Sequence, residues 1–165
     1  MNAAAAPKIA YASPAQSRKL PGRGVGYSVL ASLSLLLSAW LLFIDPLFNA
    51  AGVAHLRAAE AYLQWGLPAA LALAPPLPAL PIAMIHQFSG LSLLHAGLLV
   101  STGLYALLCC VFVATCKQLG GERRVLYFAA VLILLLPMLN AQRSAIGGDP
   151  GYWALLLLSV RQLLV

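Results

Sequence analysis

The run over residues 25–44, "VGYSVLASLSLLLSAWLLFI", limits what this chain can fold into more than any other feature. It carries no charged side chain, and about twenty apolar residues are what a helix rising about 1.5 Å per residue needs to cross the hydrocarbon of a bilayer. The run stops at Asp45-Pro46, a pair that ends helices at a lipid boundary. Basic residues in front of it and "NAA" at residues 49–51 also fit a cleaved signal peptide. The long leader and the length of the run favour an uncleaved anchor.

Composition extends the same conclusion to the rest of the chain. Of 165 residues, 62% are hydrophobic, and ten basic and four acidic side chains cannot cover a soluble domain of this size. The formal net charge of +6 does not point to nucleic acid, because the basic residues form no patch. Lys8, Arg18, Lys19 and Arg23 precede the first run, while Lys117, Arg123 and Arg124 fill the gap between the second and third. Arg161 lies near the end, and only Arg57 and Arg143 fall on the opposite side. This is the positive-inside bias, and it predicts a multi-pass membrane protein with a cytoplasmic amino terminus.

The expected fold class is all-α: a polytopic helical membrane protein with about three to four transmembrane helices and an outer interfacial helix. Residues 1–23 read as a disordered basic cytoplasmic tail, and residues 24–165 as the transmembrane domain. Its spans fall at about 25–44, 91–116, 123–139 and 152–165, the last short and interrupted by Arg161. Residues 49–66 suit an amphipathic helix in the outer interface: Arg57, Glu60 and Gln64 share one face, and Leu56, Ala59 and Leu63 another. Five prolines between Pro68 and Pro81 remove backbone donors, so irregular structure is expected there. In the second span Gly97, Ser101, Thr102 and Gly103 are small enough to let a neighbouring helix approach. Cys109, Cys110 and Cys116 read as small packing residues, and His86 and His95 stand alone, so no metal constellation is visible.

Against this background the stretch "RSAIGGDPGYW", residues 143–153, stands out for an Arg and an Asp beside a bend. With the amino end inside, Asp45 and this loop both fall at the outer boundary, away from the full penalty of a charge at mid-bilayer. Ordinary roles exist for each residue. Asp45 and Asp149 sit in turns, Arg143 reaches outer phosphates, and Arg57 and Glu60 form an exposed helical pair.

The ordered pieces "DPLFNAAGVAHLRAAEAYLQWGL", "PIAMIHQFSGLSL", "LGGERR" and "PMLNAQRSAIGGDPGYWALLLL" carry a resemblance. From about residue 25 onward the chain resembles the amino-terminal part of GT-C type integral-membrane glycosyltransferases, especially bacterial members related to protein O-mannosyltransferases and lipid A aminoarabinose transferases. The resemblance implies transfer of a hexose or pentose from a polyprenyl-phosphate donor at the outer face of the bacterial cytoplasmic membrane. It gives Asp45 the role of catalytic base or acceptor-orienting group and Asp149 a place near the acceptor or a divalent cation. It brings Arg143 to the donor phosphate, with Arg57 and Glu60 as further substrate-binding candidates. The chemistry suits these residue types, since a carboxylate takes the acceptor proton and a guanidinium stabilises the departing phosphate. The chain departs from the pattern at Gly147-Gly148, where those relatives carry a second basic residue. They also run to several hundred residues, so a truncated module that is inactive alone, lacking a carboxy-terminal part or partner subunits, is expected.

Two other classes compete. A small non-catalytic helical subunit of a membrane complex would use the small residues of the second span for packing. A transporter fragment fits less well, because transporter sites lie near the bilayer midplane.

Overall fold

The computed structural model describes residues 26–44, 49–147 and 149–164, and the elements among them are all α-helices. The tail expected over residues 1–23 and the candidate base Asp45 lie outside the described residues. In chain order the helices are α1 (Tyr27–Ile44), α2 (Ala50–Trp65), α3 (Leu67–Leu73), α4 (Pro76–Ser89), α5 (Leu93–Gln118), α6 (Arg123–Leu135), α7 (Pro137–Asn140) and α8 (Asp149–Leu163). The fold is all-α, as expected. Helices α1 and α5 are long and apolar enough either to cross a membrane or to form the core of a bundle.

Helix α5 is the axis, with α1, α2, α4, α6 and α8 all packed against it. Its 26 residues give about 39 Å of length, enough for two separate cores along one helix. Ala96 and Val100 of its first half join Ala58 and Ala59 of α2, Ala79, Ile82 and Ala83 of α4, and Ile146. Cys109 and Val113 of its second half join Leu30 of α1 and Leu126, Ala130 and Ile133 of α6. Each core is built from one stripe of α5.

The proline-rich stretch is helical, contrary to the expectation of irregular structure. Pro68 opens α3 and Pro76 opens α4, positions whose backbone N–H has no intrahelical acceptor, so little is lost there. Only Pro81 lies inside a helix. Ala74 and Pro75 separate the two helices, and Gly90 ends α4 in the left-handed region at φ 70°.

One of the expected spans is shorter than drawn and another is shifted. The region 123–139 is divided: Pro137 holds Leu136 extended at φ −61° and ψ 113°, so α6 stops at Leu135 and α7 is a single turn. The 13 residues of α6 and 15 of α8 give about 20 and 22 Å, less than the ~30 Å of a hydrocarbon core. Helix α8 also begins at Asp149, earlier than residue 152, and it runs beside the second half of α5. Gly151 at its start meets Leu104, and Arg161 near its end bonds the side chain of Gln118 at 3.2 Å.

What sets α2 against α5 is the segment between α7 and α8. Ile146 inserts between them, close to two glycines. A Cβ on Gly52 would come within 2.9 Å of the Ile146 backbone oxygen, and one on Gly97 within 3.0 Å of Ile146 Cδ1 and 3.1 Å of Leu56 Cδ2. Neither position has room for a methyl group without movement. Asn49 fixes the start of α2 by accepting a hydrogen bond from the Gly52 N–H at 2.6 Å. Gly52→Ala is therefore expected to destabilise the fold by about 1–3 kcal/mol, because its clash is with backbone rather than a flexible side chain. Thermal unfolding of the purified chain in detergent measures the loss.

Candidate functional site

Arg143 is the largest fully buried side chain of the described residues, at 1% exposed. The tight turn after α7 aims it back into the bundle. Nε donates to Asn140 Oδ1 at 2.8 Å. Nη1 donates to the Ser34 and Ser38 hydroxyls at 2.9 and 3.1 Å and to the Ser34 carbonyl at 3.3 Å. Nη2 donates to Cys109 Sγ at 3.5 Å, and the guanidinium lies 5.0 Å from the centre of the Tyr105 ring. Ser34 and Ser38 are one helical turn apart on α1 and fully buried, which explains two hydroxyls in an otherwise hydrocarbon run. The loop thus turns inward, and Arg143 does not reach an outer phosphate as the sequence led us to expect. Burial of a guanidinium is tolerable only with its donors satisfied, and α1 and α5 supply the acceptors.

Tyr105 also lines a polar cavity of about 130 Å³, together with Asn49, His55, Gln142, Gly147 and Asp149, among others. Three helices meet here: the beginnings of α2 and α8, and the middle of α5. Asp149 is exposed and occupies the first residue of α8, where the unpaired N–H groups of the first turn favour a carboxylate. His55 shares the buried face of α2 with Gly52 and Ala59 and is 7% exposed. Its Nδ1 is enclosed and has no hydrogen-bond partner among the described residues. Burial holds the His55 pKa below its ordinary 6.5, and the Asp149 carboxylate partly offsets that effect. The imidazole is consequently neutral at pH 7, with a ring nitrogen able to accept or donate according to tautomer.

The sequence-predicted residues thus separate. Asp149 lines the cavity, and Arg143 stands behind its Tyr105 wall without lining it. Arg57 is exposed and borders a different groove between α2 and α3 with Val53 and Leu73, while Glu60 is exposed on α2. The structure does not bring these two into the cavity. His55, Tyr105 and the clasp serines were missed. A signal for His55 was present in the spacing Gly52, His55, Ala59, a stripe of small residues broken by one large polar ring.

The arrangement converges a carboxylate and a neutral imidazole on a space the size of one functional group. Both can accept a hydrogen bond from a hydroxyl or ammonium entering the cavity. No group of three or more His, Cys, Asp or Glu able to hold a metal ion occurs among the described residues. Comparison of the chain with family models, curated proteins and solved structures gives no match.

Two outcomes follow from this geometry. Arg143→Met should cost about 2–4 kcal/mol, since it orphans buried acceptors. Ser34→Ala with Ser38→Ala removes the same bonds from the other side by orphaning the Arg143 donors, so combining all three changes should cost less than the sum, as a double-mutant cycle of unfolding would measure. The folded state resists protonation of His55 more than the unfolded state does. Stability should therefore be complete above the unfolded pKa and fall as pH drops through and below it. His55→Gln should flatten that slope in denaturation curves taken across the same range.

Proposed function

We propose that this chain is a membrane-embedded module of a glycosyltransferase that uses a lipid-linked sugar donor, with the cavity between His55 and Asp149 receiving the acceptor hydroxyl. The single observation that supports the reading is that Asp149 and His55, whose Nδ1 has no hydrogen-bond partner among the described residues, line one cavity. An acceptor hydroxyl attacking an anomeric carbon must lose its proton as the bond forms, and a carboxylate in hydrogen-bond reach takes it. Neutral His55 then orients the hydroxyl.

Membrane insertion is part of the proposal. Leu36, Trp40 and Phe43 of α1, Phe128 and Leu135 of α6, and Trp153 and Leu156 of α8 are all exposed. Monomers in water rarely present apolar surface on that scale. In this reading α1 and α5 span the bacterial cytoplasmic membrane from a cytoplasmic amino end. Helix α2, with Trp65 exposed at its end, lies at the outer interface. Helices α6 and α8 cross in part.

Arg143 enters this mechanism as a positioning residue. Its N–H groups already bond the protein, so the donor phosphate requires other cations. A cavity of about 130 Å³ is also below the ~300–1,000 Å³ of small-molecule sites, so it admits one hydroxymethyl group rather than a whole sugar. The remaining donor and acceptor surface belongs to further membrane helices packed on the apolar faces of α1, α6 or α8. Those same exposed faces favour a second reading, a non-catalytic subunit of a larger membrane complex.

Transfer of radiolabel from a polyprenyl-phosphate-linked sugar, in membranes containing the chain and its associated subunits, separates the two. On the transferase reading, Asp149→Asn lowers the rate by about 10²-fold or more, the contribution of a positioned general base. Undiminished transfer by that variant removes Asp149 as the base. Absence of transfer from every such donor, with the chain held in a stable multisubunit complex, leaves the subunit reading.

A further inference from the structure

A second feature lies at the opposite end of α1, away from the cavity. Helices α1 and α6 both flank the second half of α5, and an open groove of about 340 Å³ runs between them. Gly26 just before α1, Leu30 and Leu33 of α1, and Tyr127, Ala130 and Leu134 of α6 line it. Helix α6 turns back along α5 after residues 119–122, and Leu35, Ala39 and Leu42 of α1 lie with Leu91, His95 and Leu98 around the start of α5, so α1 and α6 run in the same direction along the groove. Eight residues of each helix give a length of about 10 Å. Its walls are aliphatic apart from the Tyr127 hydroxyl end.

The mouth of the groove is different. Arg123, the first residue of α6, donates from Nη2 to Tyr127 Oη at 3.1 Å, and its guanidinium lies 5.5 Å from the Tyr127 ring centre. Tyr127, which lines the groove, thereby holds a guanidinium one helical turn before it. Arg124 is exposed beside it, Lys117 ends α5 nearby, and Glu122 is the acid of the same turn. An apolar trough about as long as part of an acyl chain, opening at a fixed guanidinium, matches one chemistry.

We propose that the groove between α1 and α6 is a binding site for a glycerophospholipid with an anionic headgroup. One acyl chain lies between Leu30, Leu33, Ala130 and Leu134, and the phosphate pairs with Arg123 and Arg124. A guanidinium suits this role because it offers paired N–H groups to phosphate oxygens and keeps its charge at any physiological pH. The site rests on the membrane reading given above and not on glycosyl transfer. It belongs to the inner leaflet, where anionic lipids meet juxtamembrane basic residues.

Native mass spectrometry of the full chain, released from detergent micelles doped with equal amounts of dioleoyl phosphatidylglycerol and dioleoyl phosphatidylcholine, tests it. The expected result is one retained lipid, with the glycerol headgroup preferred by about tenfold. Arg123→Gln with Arg124→Gln should bring that preference to near parity. Val131→Trp, which fills the groove from an exposed position on its wall, should remove retention of either lipid. Equal retention of the two lipids by the unaltered chain, or retention unaffected by Val131→Trp, would overturn the site, as would a partner helix recovered in the groove by crosslinking. Release of the chain from membranes by alkaline carbonate without detergent would instead overturn the membrane reading itself.

Discussion

One buried guanidinium determines how the helices of this protein are registered. Apolar surfaces alone do not fix a unique arrangement, least of all in a bilayer, where lipid tails compete with leucine side chains on equal terms. The Arg143 side chain removes that freedom. Its donors need acceptors at several fixed directions, and those come from Ser34 and Ser38 on α1, Cys109 on α5 and Asn140 in its own turn. A displacement of α1 by one residue would swing both hydroxyls off the guanidinium and strand a charge in a medium of low dielectric. The penalty for a wrong register is therefore larger than any gain from the intact bonds.

The position of the cavity follows from the same contact. Because Arg143 is drawn to the middle of α5, the chain after it has to re-emerge there, and α8 starts beside Leu104 instead of at the end of the bundle. Ile146, three residues on, enters the gap between Gly52 and Gly97. Gly147 donates its N–H to Ser101 Oγ at 3.3 Å. With Arg143 anchored on one side and Ile146 on the other, the small residues Ala51, Ala145 and Gly147 leave space between them. The void is a consequence of two anchors and no bulky side chain to close it.

Much of this fold was legible in residue order, and what was not has an identifiable cause. The first and second long helices follow from uninterrupted apolar length, and α2 from two faces at helical spacing. Prolines misled because their effect depends on where a helix begins: at a first turn they are neutral, and only the structure supplies the starting points Leu67 and Pro76. Arg143 misled for a different reason. From sequence a cation in a loop at a lipid boundary points outward, and what reverses it is a pair of serines more than a hundred positions earlier. Ser34 and Ser38 are separated by one turn, which was visible, but a pair of hydroxyls in a membrane-length helix also bonds its own backbone, so the pair alone names no partner.

Structure and chemistry are consequently separable at some residues and inseparable at others. Arg143 lies over the Tyr105 ring, and Tyr105 lines the cavity, so any change at Arg143 alters the scaffold and the site together. Loss of activity at that position speaks first of folding. Asp149 differs in kind: it is exposed, it lies at a helix start that tolerates an uncharged amide, and its carboxylate is not among the clasp acceptors. His55 is intermediate, buried by its neighbours yet with a ring nitrogen that no described residue bonds. A buried polar atom left without a partner is costly to a fold, and a fold that keeps one beside a cavity gains nothing from it until something enters to accept or donate the hydrogen bond. That imbalance, more than the charge of Arg143, is what ties the proposed acceptor role of the cavity to His55 rather than to the scaffold around it.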